Sequence, residues 1–104
     1  MDLKAIKAKI STGRYNIAFT HTEKLRRRRI RARDIEEAVR LGDIIEDYPD
    51  DPRGPSCLIL GMAGKRPLHI LCGCLEAEEI LIITAYEPDP KEWENDWQTR
   101  KKTF

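Results

Sequence analysis

The two histidines are the side chains of this chain best suited to exchange protons near neutral pH, and one of them stands beside an arginine-rich stretch. His21, Leu25 and Arg28 are spaced at i, i+4 and i+7, which places all three on one face of a helix. With Leu25 turned inward, His21 and Arg28 lie along the rim of the buried stripe. The spacing predicts a candidate site there, although a solvated helix face would give the same pattern.

His69 lies in a strand-like stretch, RPLHILCGC, whose side chains alternate between two faces. His69 and Gly73 share one face, and Gly73 would leave room there for a ligand or a crossing side chain. Two interpretations stay open. His69 is either a hydrogen-bonded structural residue or a side chain that points into a cleft.

Tyr86 ends an apolar strand at the point where the chain leaves the sheet, which is a common position for functional side chains. Pro88 and Pro90 fix the exit, and Trp93 can fold back over the edge of the strand. Tyr86 is therefore either a functional side chain or an aromatic anchor for the tail.

The cysteine spacing raises a metal site as an alternative. Cys72 and Cys74 would place both sulfur atoms on one side of a strand, but the further ligands would have to be Cys57 and a histidine, with no second closely spaced pair. Buried thiols are the simpler interpretation, and we expect neither a metal nor a cofactor. Phosphate-binding glycine loops, G-x-S-x-G and H-E-x-x-H are absent from the sequence.

The arginines around Arg28 make the first third of the chain strongly basic. Residues 1–33 carry 11 Lys and Arg against 2 Asp and Glu, a net charge of +9, and residues 34–104 carry 8 against 16, a net charge of −8. Such a division favours contact with nucleic acid, but it also fits a dipolar protein that attracts a charged partner. The candidate RNA-binding residues are Arg26, Arg27, Arg29, Arg31 and Arg33.

Helical spacing dominates the chain up to Gly42. Asp2 is placed to cap a first helix and Gly13 to end it. The segment RYNIAFT is typical of a short extended link or an edge strand. Thr20 or Thr22 could cap a second helix, and RDIEEAVRLG predicts a third helix with Gly42 as its left-handed C-terminal cap.

Alternating spacing follows from there. The predicted strands, which short connections would join as antiparallel hairpins, are Asp43–Tyr48, Cys57–Met62, Leu68–Leu75 and Glu79–Ala85. After them, Trp93 and Trp97 at i and i+4 predict a C-terminal helix. The predicted fold class is therefore α+β, with N-terminal helices, a four-stranded, mainly antiparallel sheet and a C-terminal helix. We expect a single domain over residues 1–104.

The composition predicts a soluble protein of the cytoplasm. Charged residues make up 36% of the chain, so the surface should be heavily charged. The chain begins with charged residues rather than a hydrophobic leader, and no apolar run approaches the ~20 residues that a membrane helix requires. We therefore expect free thiols and no contact with a membrane.

Several of these motifs occur together in one known family. The chain resembles a bacterial family of small proteins, grouped with the RelE-like and BrnT-like toxins of toxin–antitoxin systems, through His21-x-x-x-Leu25-x-x-Arg28-x-Ile30, Asp34-Ile35, GDIIEDYPDD, SCLILG, RPLHI and ITAYEPDPKEW. The resemblance extends over residues 10 to 100. It implies a RelE-like fold and a metal-independent ribonuclease that acts on mRNA. It also implies a neighbouring antitoxin, which in several related gene pairs is a small zinc-finger protein.

The resemblance further implies which side chains carry the chemistry. Position by position, the recurrent polar residues are His21, Arg28, His69, Tyr86 and Arg100. Metal-free RNA cleavage needs a base for the 2′-hydroxyl, cations for the phosphate and an acid for the leaving oxygen. The histidines would serve as base and acid, the arginines would hold the phosphate, and Tyr86 would stack on a base or donate a proton. A non-catalytic module that binds RNA, the ribosome or a protein is the alternative.

Two positions depart from the family pattern. Arg29 stands where a small residue, commonly glycine, is usual, and Arg31 stands where serine usually caps the next helix. The second change removes a capping oxygen, at a cost of about 1 kcal/mol. Asp34, in the first helical turn, should offset part of that cost through the helix dipole.

Overall fold

The computed structural model describes residues 1–74 and 79–102, which form three α-helices and a five-stranded mixed sheet. The helices are α1 (Leu3–Ser11), α2 (Thr22–Arg27) and α3 (Ala32–Arg40), with a 3-10 turn at Phe19–His21. The strands are β1 (Tyr15–Ile17), β2 (Asp43–Tyr48), β3 (Ser56–Ala63), β4 (Arg66–Cys74) and β5 (Ile80–Tyr86). No helix in the described part of the chain is both long and apolar enough to cross a membrane.

The sheet has the strand order β1-β5-β4-β3-β2, in which β2 to β5 are antiparallel neighbours and β1 runs parallel to β5. The predicted four-stranded, mainly antiparallel sheet is therefore wrong. The segment RYNIAFT supplies the fifth strand, at the edge, with Tyr15 opposite Ile80. A strand of three residues is too short for its alternation to reveal a partner so distant along the chain.

The predicted C-terminal helix is also wrong. The segment after β5 forms turns and one isolated bridge, between Trp93 and Arg100. Asp96 accepts a hydrogen bond from the backbone N–H of Thr99 at 2.9 Å, so a local turn competes with helical hydrogen bonding. Trp97 has a φ of 61°, in the left-handed region that no α-helix tolerates in its interior.

The helix ends were predicted with mixed success. Asp2 caps α1 by accepting a hydrogen bond from the Lys4 N–H at 3.0 Å, and Gly13 follows the helix with a φ of 75°. The predicted cap of α2 is wrong, because His21 takes the N-cap position without a side-chain hydrogen bond. Thr22 instead donates its hydroxyl hydrogen to the Phe19 carbonyl.

Close contact between α3 and β3 explains two glycines. A Cβ atom at Gly42 would lie 2.6 Å from the backbone oxygens of Ala38 and Leu60, and one at Gly61 would overlap the Ala38 carbonyl group. The left-handed cap predicted at Gly42 is wrong, because the described glycines with positive φ are Gly13, Gly54 and Gly64. Gly42 is instead required because a side chain would clash with α3 and β3. Leu41, the C-cap residue of α3, is 61% exposed.

The helices cover one face of the sheet. Their buried side chains, Ile6, Ile10, Leu25, Ile35, Ala38 and Val39, form one cluster with alternate residues of the strands, among them Cys57, Ile59, Leu68, Ile70, Cys72, Ile80 and Ile82. The intervening strand residues, including His69, point to the opposite face. The first predicted strand coincides with β2, and the other three end within two residues of the ends of β3, β4 and β5. Leu75, the predicted end of the third strand, and the connection at 76–78 lie outside the described residues.

Candidate functional site

His69 occupies the sheet face that the helices leave uncovered. Leu68 and Ile70 enter the helix-side core, so His69 points the other way. There the C-terminal segment 89–101, which we call the strap, covers the imidazole ring, and the Trp93 ring lies edge to face at 4.4 Å between centroids. The histidine is fully buried, with an exposed fraction of 0%.

Hydrogen bonds fix which nitrogen of His69 carries the proton. Nε2 lies 2.6 Å from the backbone oxygen of Trp97, and a carbonyl only accepts, so Nε2–H is the donor. In the neutral ring, Nδ1 therefore holds the lone pair, and it faces the Tyr86 hydroxyl at 3.4 Å. Burial lowers the pKa of His69 in spite of the opposing effects of the Trp97 carbonyl and Glu46. The ring is thus neutral near pH 7.

Tyr86 is half-buried beside His69, at the end of β5. The two rings meet edge to face, with centroids 5.4 Å apart and an interplanar angle of 66°. Burial raises the pKa of Tyr86, and the nearby Arg100 guanidinium opposes this only in part. The phenol therefore stays protonated at neutral pH, which suits it to donate a hydrogen bond or to stack on a planar group.

Arg100 anchors the strap to β2. Its guanidinium donates to both carboxylate oxygens of Glu46, at 2.7 and 2.9 Å, and lies 4.6 Å from the centroid of the Trp93 ring. Tyr48 donates a hydrogen bond to the same carboxylate. The hydrogen bond from Arg100 is the main reason why the pKa of Glu46 is lowered. The positive charge of Arg100 is therefore engaged by Glu46.

Arg28 lies on another side of Tyr86. It follows α2, and its Nη1 donates to the Ala85 carbonyl at 2.8 Å and to the Thr84 hydroxyl at 3.3 Å. Arg28, Tyr86 and Glu87 together line an open groove of about 270 Å³. Two of the predicted site residues thus meet at the end of β5.

His21 stands apart from the other predicted site residues. It lies at the opposite end of α2 from Arg28 and lines a separate pocket of about 220 Å³ beside Pro55 and Gly73. Its Nδ1 is the one buried side-chain nitrogen or oxygen in the described residues that has no hydrogen-bond partner. Of the predicted catalytic residues, His69 and Tyr86 therefore lie under or beside the strap and Arg100 lies in it. Arg28 lies next to Tyr86, and His21 lies alone.

Most of the arginines predicted to bind RNA line one concavity. This arginine concavity has a volume of about 560 Å³ and is lined by Arg26, Arg29, Ile30, Arg31, Arg33, Asp34 and Arg66. Arg27 is not part of the lining, and its guanidinium lies 3.8 Å from Glu23 on the exposed side of α2. Five arginines and one aspartate therefore line the same space.

Arg66 joins the arginine concavity to the groove beside Tyr86, and it was not predicted from the sequence. Its guanidinium donates to the backbone oxygens of Arg28 at 3.0 Å and Arg29 at 2.9 Å, and to the Glu87 carboxylate at 2.6 Å. Carbonyl groups at the C-terminal end of a helix lack partners within the helix, so the guanidinium satisfies the end of α2. The only signal for Arg66 was its place in the motif RPLHI.

Glu46 and Tyr48 were also not predicted. They are two residues apart on β2, a spacing that places both side chains on one face of a strand. That spacing was the available signal, but it does not reveal Arg100, which the chain brings to the pair from the strap.

The two departures from the family pattern have visible structural effects. Arg29 adopts a φ of 56°, in the left-handed region where glycine is favoured. Arg31 is the N-cap residue of α3, and its backbone N–H donates to the Asp34 carboxylate at 2.8 Å. Asp34 therefore supplies one half of a capping box, and the arginine side chain has no acceptor for the other half.

The cysteines lie in the middle of the sheet. Cys57 and Cys72 are buried and directly opposite each other on β3 and β4, and Cys74 is exposed. Burial raises the pKa of Cys57 to about 11 and also raises that of Cys72, so both are neutral thiols that pack as small apolar groups. Within residues 1–74 and 79–102, no cluster of three His, Cys, Asp or Glu residues is arranged to hold a metal ion.

These features define an α+β protein with an arginine-lined concavity, an adjacent half-buried tyrosine and a histidine sealed beneath a strap. The family described as Domain of unknown function (DUF4258) matches residues 22–87, from α2 to the end of β5. The chain belongs to this family. No curated protein and no solved structure matches the chain. The family match provides no link to RelE-like or BrnT-like toxins.

Proposed function

We propose that this protein is a non-catalytic module that binds single-stranded RNA through the arginine concavity. The observation that carries the proposal is the convergence of Arg26, Arg29, Arg31 and Arg33 on one concavity, where Asp34 is the one carboxylate among the described lining residues. Arg66 also lines the concavity, but its guanidinium is engaged by Glu87 and by the backbone oxygens of Arg28 and Arg29. One guanidinium group can donate two parallel hydrogen bonds to a phosphate group. A convergent set of arginines therefore favours a chain of phosphates over a single anion.

The groove beside Tyr86 offers a place for an RNA base. Arg66 lines the concavity and also contacts the Arg28 carbonyl, so the groove lies directly next to the concavity. The Tyr86 ring is held in place by the edge-to-face contact with His69. A base stacked on an aromatic side chain contributes about 1–3 kcal/mol. This arrangement supports a single strand, because the bases of a duplex are not free to stack on protein.

The burial of His69 argues against catalysis in this arrangement. With an exposed fraction of 0%, neither ring nitrogen can reach a 2′-hydroxyl group. His21 lies in a different pocket from Arg28 and Tyr86. We therefore assign Arg28 to phosphate binding and Tyr86 to stacking, with His69 as a positioning residue behind Tyr86.

The salt dependence of RNA binding tests the proposal. With a labelled oligoribonucleotide, each lost phosphate contact should reduce the slope of log K against log salt concentration by about 0.7. We expect Arg29→Gln to reduce the slope by that amount. Arg14→Gln is the matched control, because Arg14 is exposed and does not line the concavity. The proposal is wrong if the wild-type chain binds no RNA at low salt, or if the two variants bind equally.

A second candidate function is a toxin-like ribonuclease of the RelE or BrnT type. It would act in the cytoplasm on mRNA or at the ribosome, without a metal, and a zinc-finger antitoxin would neutralise it. The succession of Arg28, Tyr86 and His69 favours it, because a cation, a protonated phenol and a neutral imidazole stand side by side. The pKa of Tyr86 is raised, so the phenol stays protonated and could give its proton to the leaving oxygen. Once the strap moves away, Nδ1 of His69, which holds a lone pair, could take the proton of the 2′-hydroxyl group and then pass it to the Tyr86 phenolate.

Two substitutions at Tyr86 separate the two functions. Tyr86→Phe keeps the aromatic ring and removes the hydroxyl group that would donate the proton. Under the ribonuclease function it should therefore abolish cleavage and growth arrest but retain RNA binding. Under the binding function alone, Tyr86→Phe behaves like the wild type and only Tyr86→Ala weakens binding. The second candidate is excluded if induced expression leaves growth and cellular RNA unchanged.

A further inference from the structure

We infer that the pocket beside His21 binds a single nucleobase of the RNA strand, an inference that rests on the proposed RNA binding. The pocket has a volume of about 220 Å³. This is below the ~300 Å³ at which pockets for drug-sized ligands begin. The space therefore fits one heteroaromatic ring system and not a larger molecule.

The walls of the pocket suit the flat faces of a base. Pro55, Leu81 and Ile83 supply apolar surface, and Gly73 lies beside them. A Cβ atom at Gly73 would lie 3.2 Å from Cδ1 of Ile83, so any side chain there would begin to fill the pocket. The absence of a side chain at Gly73 keeps this space open.

His21 supplies a directional polar group in the pocket. Its Nδ1 is buried and has no partner among the described residues, whereas buried polar atoms are nearly always hydrogen-bonded. The nitrogen donates or accepts according to the tautomer. The edge of a nucleobase carries both donors and acceptors, and an unpaired base presents that edge to a protein.

The charges beside the pocket favour a neutral ring over a phosphate group. Arg53 and Asp51 also line the pocket, but they form a bidentate ion pair, at 3.3 Å from Nε to Oδ1 and 3.2 Å from Nη2 to Oδ2. The same pairing lowers the pKa of Asp51 to about 2, so the carboxylate remains charged and keeps Arg53 engaged. The pocket therefore lacks the unpaired cations that a phosphate requires.

The position of the pocket is consistent with a bound strand. His21 and Arg28 lie at the two ends of α2, which has six residues and spans about 9 Å. Arg26 and Arg29 of the arginine concavity lie on and just after the same helix. A single strand held in the concavity can thus place one base in the pocket.

Nucleoside titrations monitored by NMR test the inference. With methyl-labelled protein, adenosine and uridine are added separately, and the methyl signals of Leu81 and Ile83 should shift. Ribose 5-phosphate should leave them unchanged. Gly73→Ala and His21→Ala should each weaken nucleoside binding about tenfold, the effect of one lost hydrogen bond or of lost room. Leu41→Ala, on the exposed end of α3, is the control and should bind as the wild type.

The outcomes distinguish this inference from the proposed function. The inference is overturned if no nucleoside shifts the methyl signals, or if both pocket variants bind nucleosides as well as the wild type. Salt-dependent RNA binding without nucleoside binding also overturns it and leaves the proposed function intact. Nucleoside binding by a chain that binds no RNA supports the pocket and removes the proposed function. Should Gly73→Ala unfold the protein, His21→Ala alone decides, because His21 lies partly at the surface.

Discussion

Among single side chains, His69 shows how surroundings decide between alternatives that residue type leaves open. From the sequence, His69 was either a hydrogen-bonded structural residue or a side chain in a cleft. In the structure it is buried and hydrogen-bonded to the Trp97 carbonyl. The sequence could not decide this, because the partner lies in a distant segment whose spacing predicted a helix.

The buried, neutral His69 should make stability depend on pH. Its folded-state pKa is lowered, so as the pH falls the unfolded state takes up the proton first. The stabilisation is complete above the unfolded pKa of about 6.5 and is lost as the pH falls through the folded pKa. We expect the wild-type free energy of unfolding, measured in urea, to decrease from about pH 7.5 to pH 5, and to decrease less in His69→Gln. The pKa of Glu46 is lowered from 4.5, so its contribution is lost only below this window.

The left-handed backbone at Arg29 provides a second prediction. Arg29→Gly should raise the free energy of unfolding by about 1 kcal/mol, because glycine adopts a positive φ without the steric cost that other residues have. Arg26→Gly, inside α2, is the matched control and should lower it by about 1 kcal/mol. Chemical denaturation measures both. Equal destabilisation by the two glycines would contradict the assignment. Arg29→Gly should also bind RNA more weakly, since Arg29 lines the arginine concavity.

The candidate site was only partly predictable at this level. His21 and Arg28 do flank α2, but the i, i+7 spacing could not show that their side chains line different pockets. Arg100 came from the family resemblance alone, since its pairing with Glu46 joins positions far apart in the chain. Arg66 had no local signal beyond its motif, because its partners are backbone oxygens at the end of α2.

Among helices and strands, local patterns predicted the elements that are determined by the spacing of apolar residues within the segment itself. The runs that became β3 and β4 alternate or are continuously apolar, and both were predicted. The parallel pairing of β1 and the path of the strap depend on contacts made elsewhere. Trp93 and Trp97 have helical spacing, yet the turn at Asp96 and the hydrogen bond to His69 decide the backbone there.

The contact of α3 with β3 should be intolerant of a single methyl group. Gly61→Ala should abolish folding or lower the free energy of unfolding by several kcal/mol, since its Cβ would overlap the Ala38 carbonyl and force the helix off the sheet. Gly73→Ala adds the same methyl group on the neighbouring strand, where its closest contact is the flexible end of Ile83, at 3.2 Å. We expect it to fold with a smaller loss. Thermal and urea unfolding compare the two, and equal losses would show that helix packing is not the cause.

The strap should protect His69 from chemical modification. Diethyl pyrocarbonate modifies accessible imidazole groups, so in the wild-type chain only His21 should react readily. Arg100→Ala removes the contacts with Glu46 and with the Trp93 ring, and it should increase the rate at which His69 is modified. Arg27→Ala is the matched control, since Arg27 is an exposed arginine away from the strap. Rapid modification of His69 in the wild type would mean that the strap does not seal the ring.

For the molecule as a whole, the near-neutral net charge is the sum of a basic region and an acidic region. The sheet order places β1 and β2 at opposite edges. The basic helix α2 packs near β5, the neighbour of β1, whereas β2 and the turn after it carry Asp43, Asp47 and Asp50. β2, which carries Asp43 and Asp47, therefore lies at the edge of the sheet away from α2, although Asp51 in the following turn lines the pocket beside His21. Binding of a polyanion should depend on where the positive charges lie rather than on the net charge of +1.

Two variants of equal net charge test this dependence. Three substitutions in the arginine concavity, Arg26→Gln, Arg29→Gln and Arg33→Gln, change the net charge from +1 to −2, and so do three at exposed positions outside it, Lys4→Gln, Arg14→Gln and Lys91→Gln. We expect the first variant to elute from heparin and to release RNA at much lower salt, because it loses about three phosphate contacts. The second should remain close to the wild type, since screening within about 10 Å weakens the influence of remote charges. Equal losses in both variants would mean that net charge, and not the concavity, governs binding.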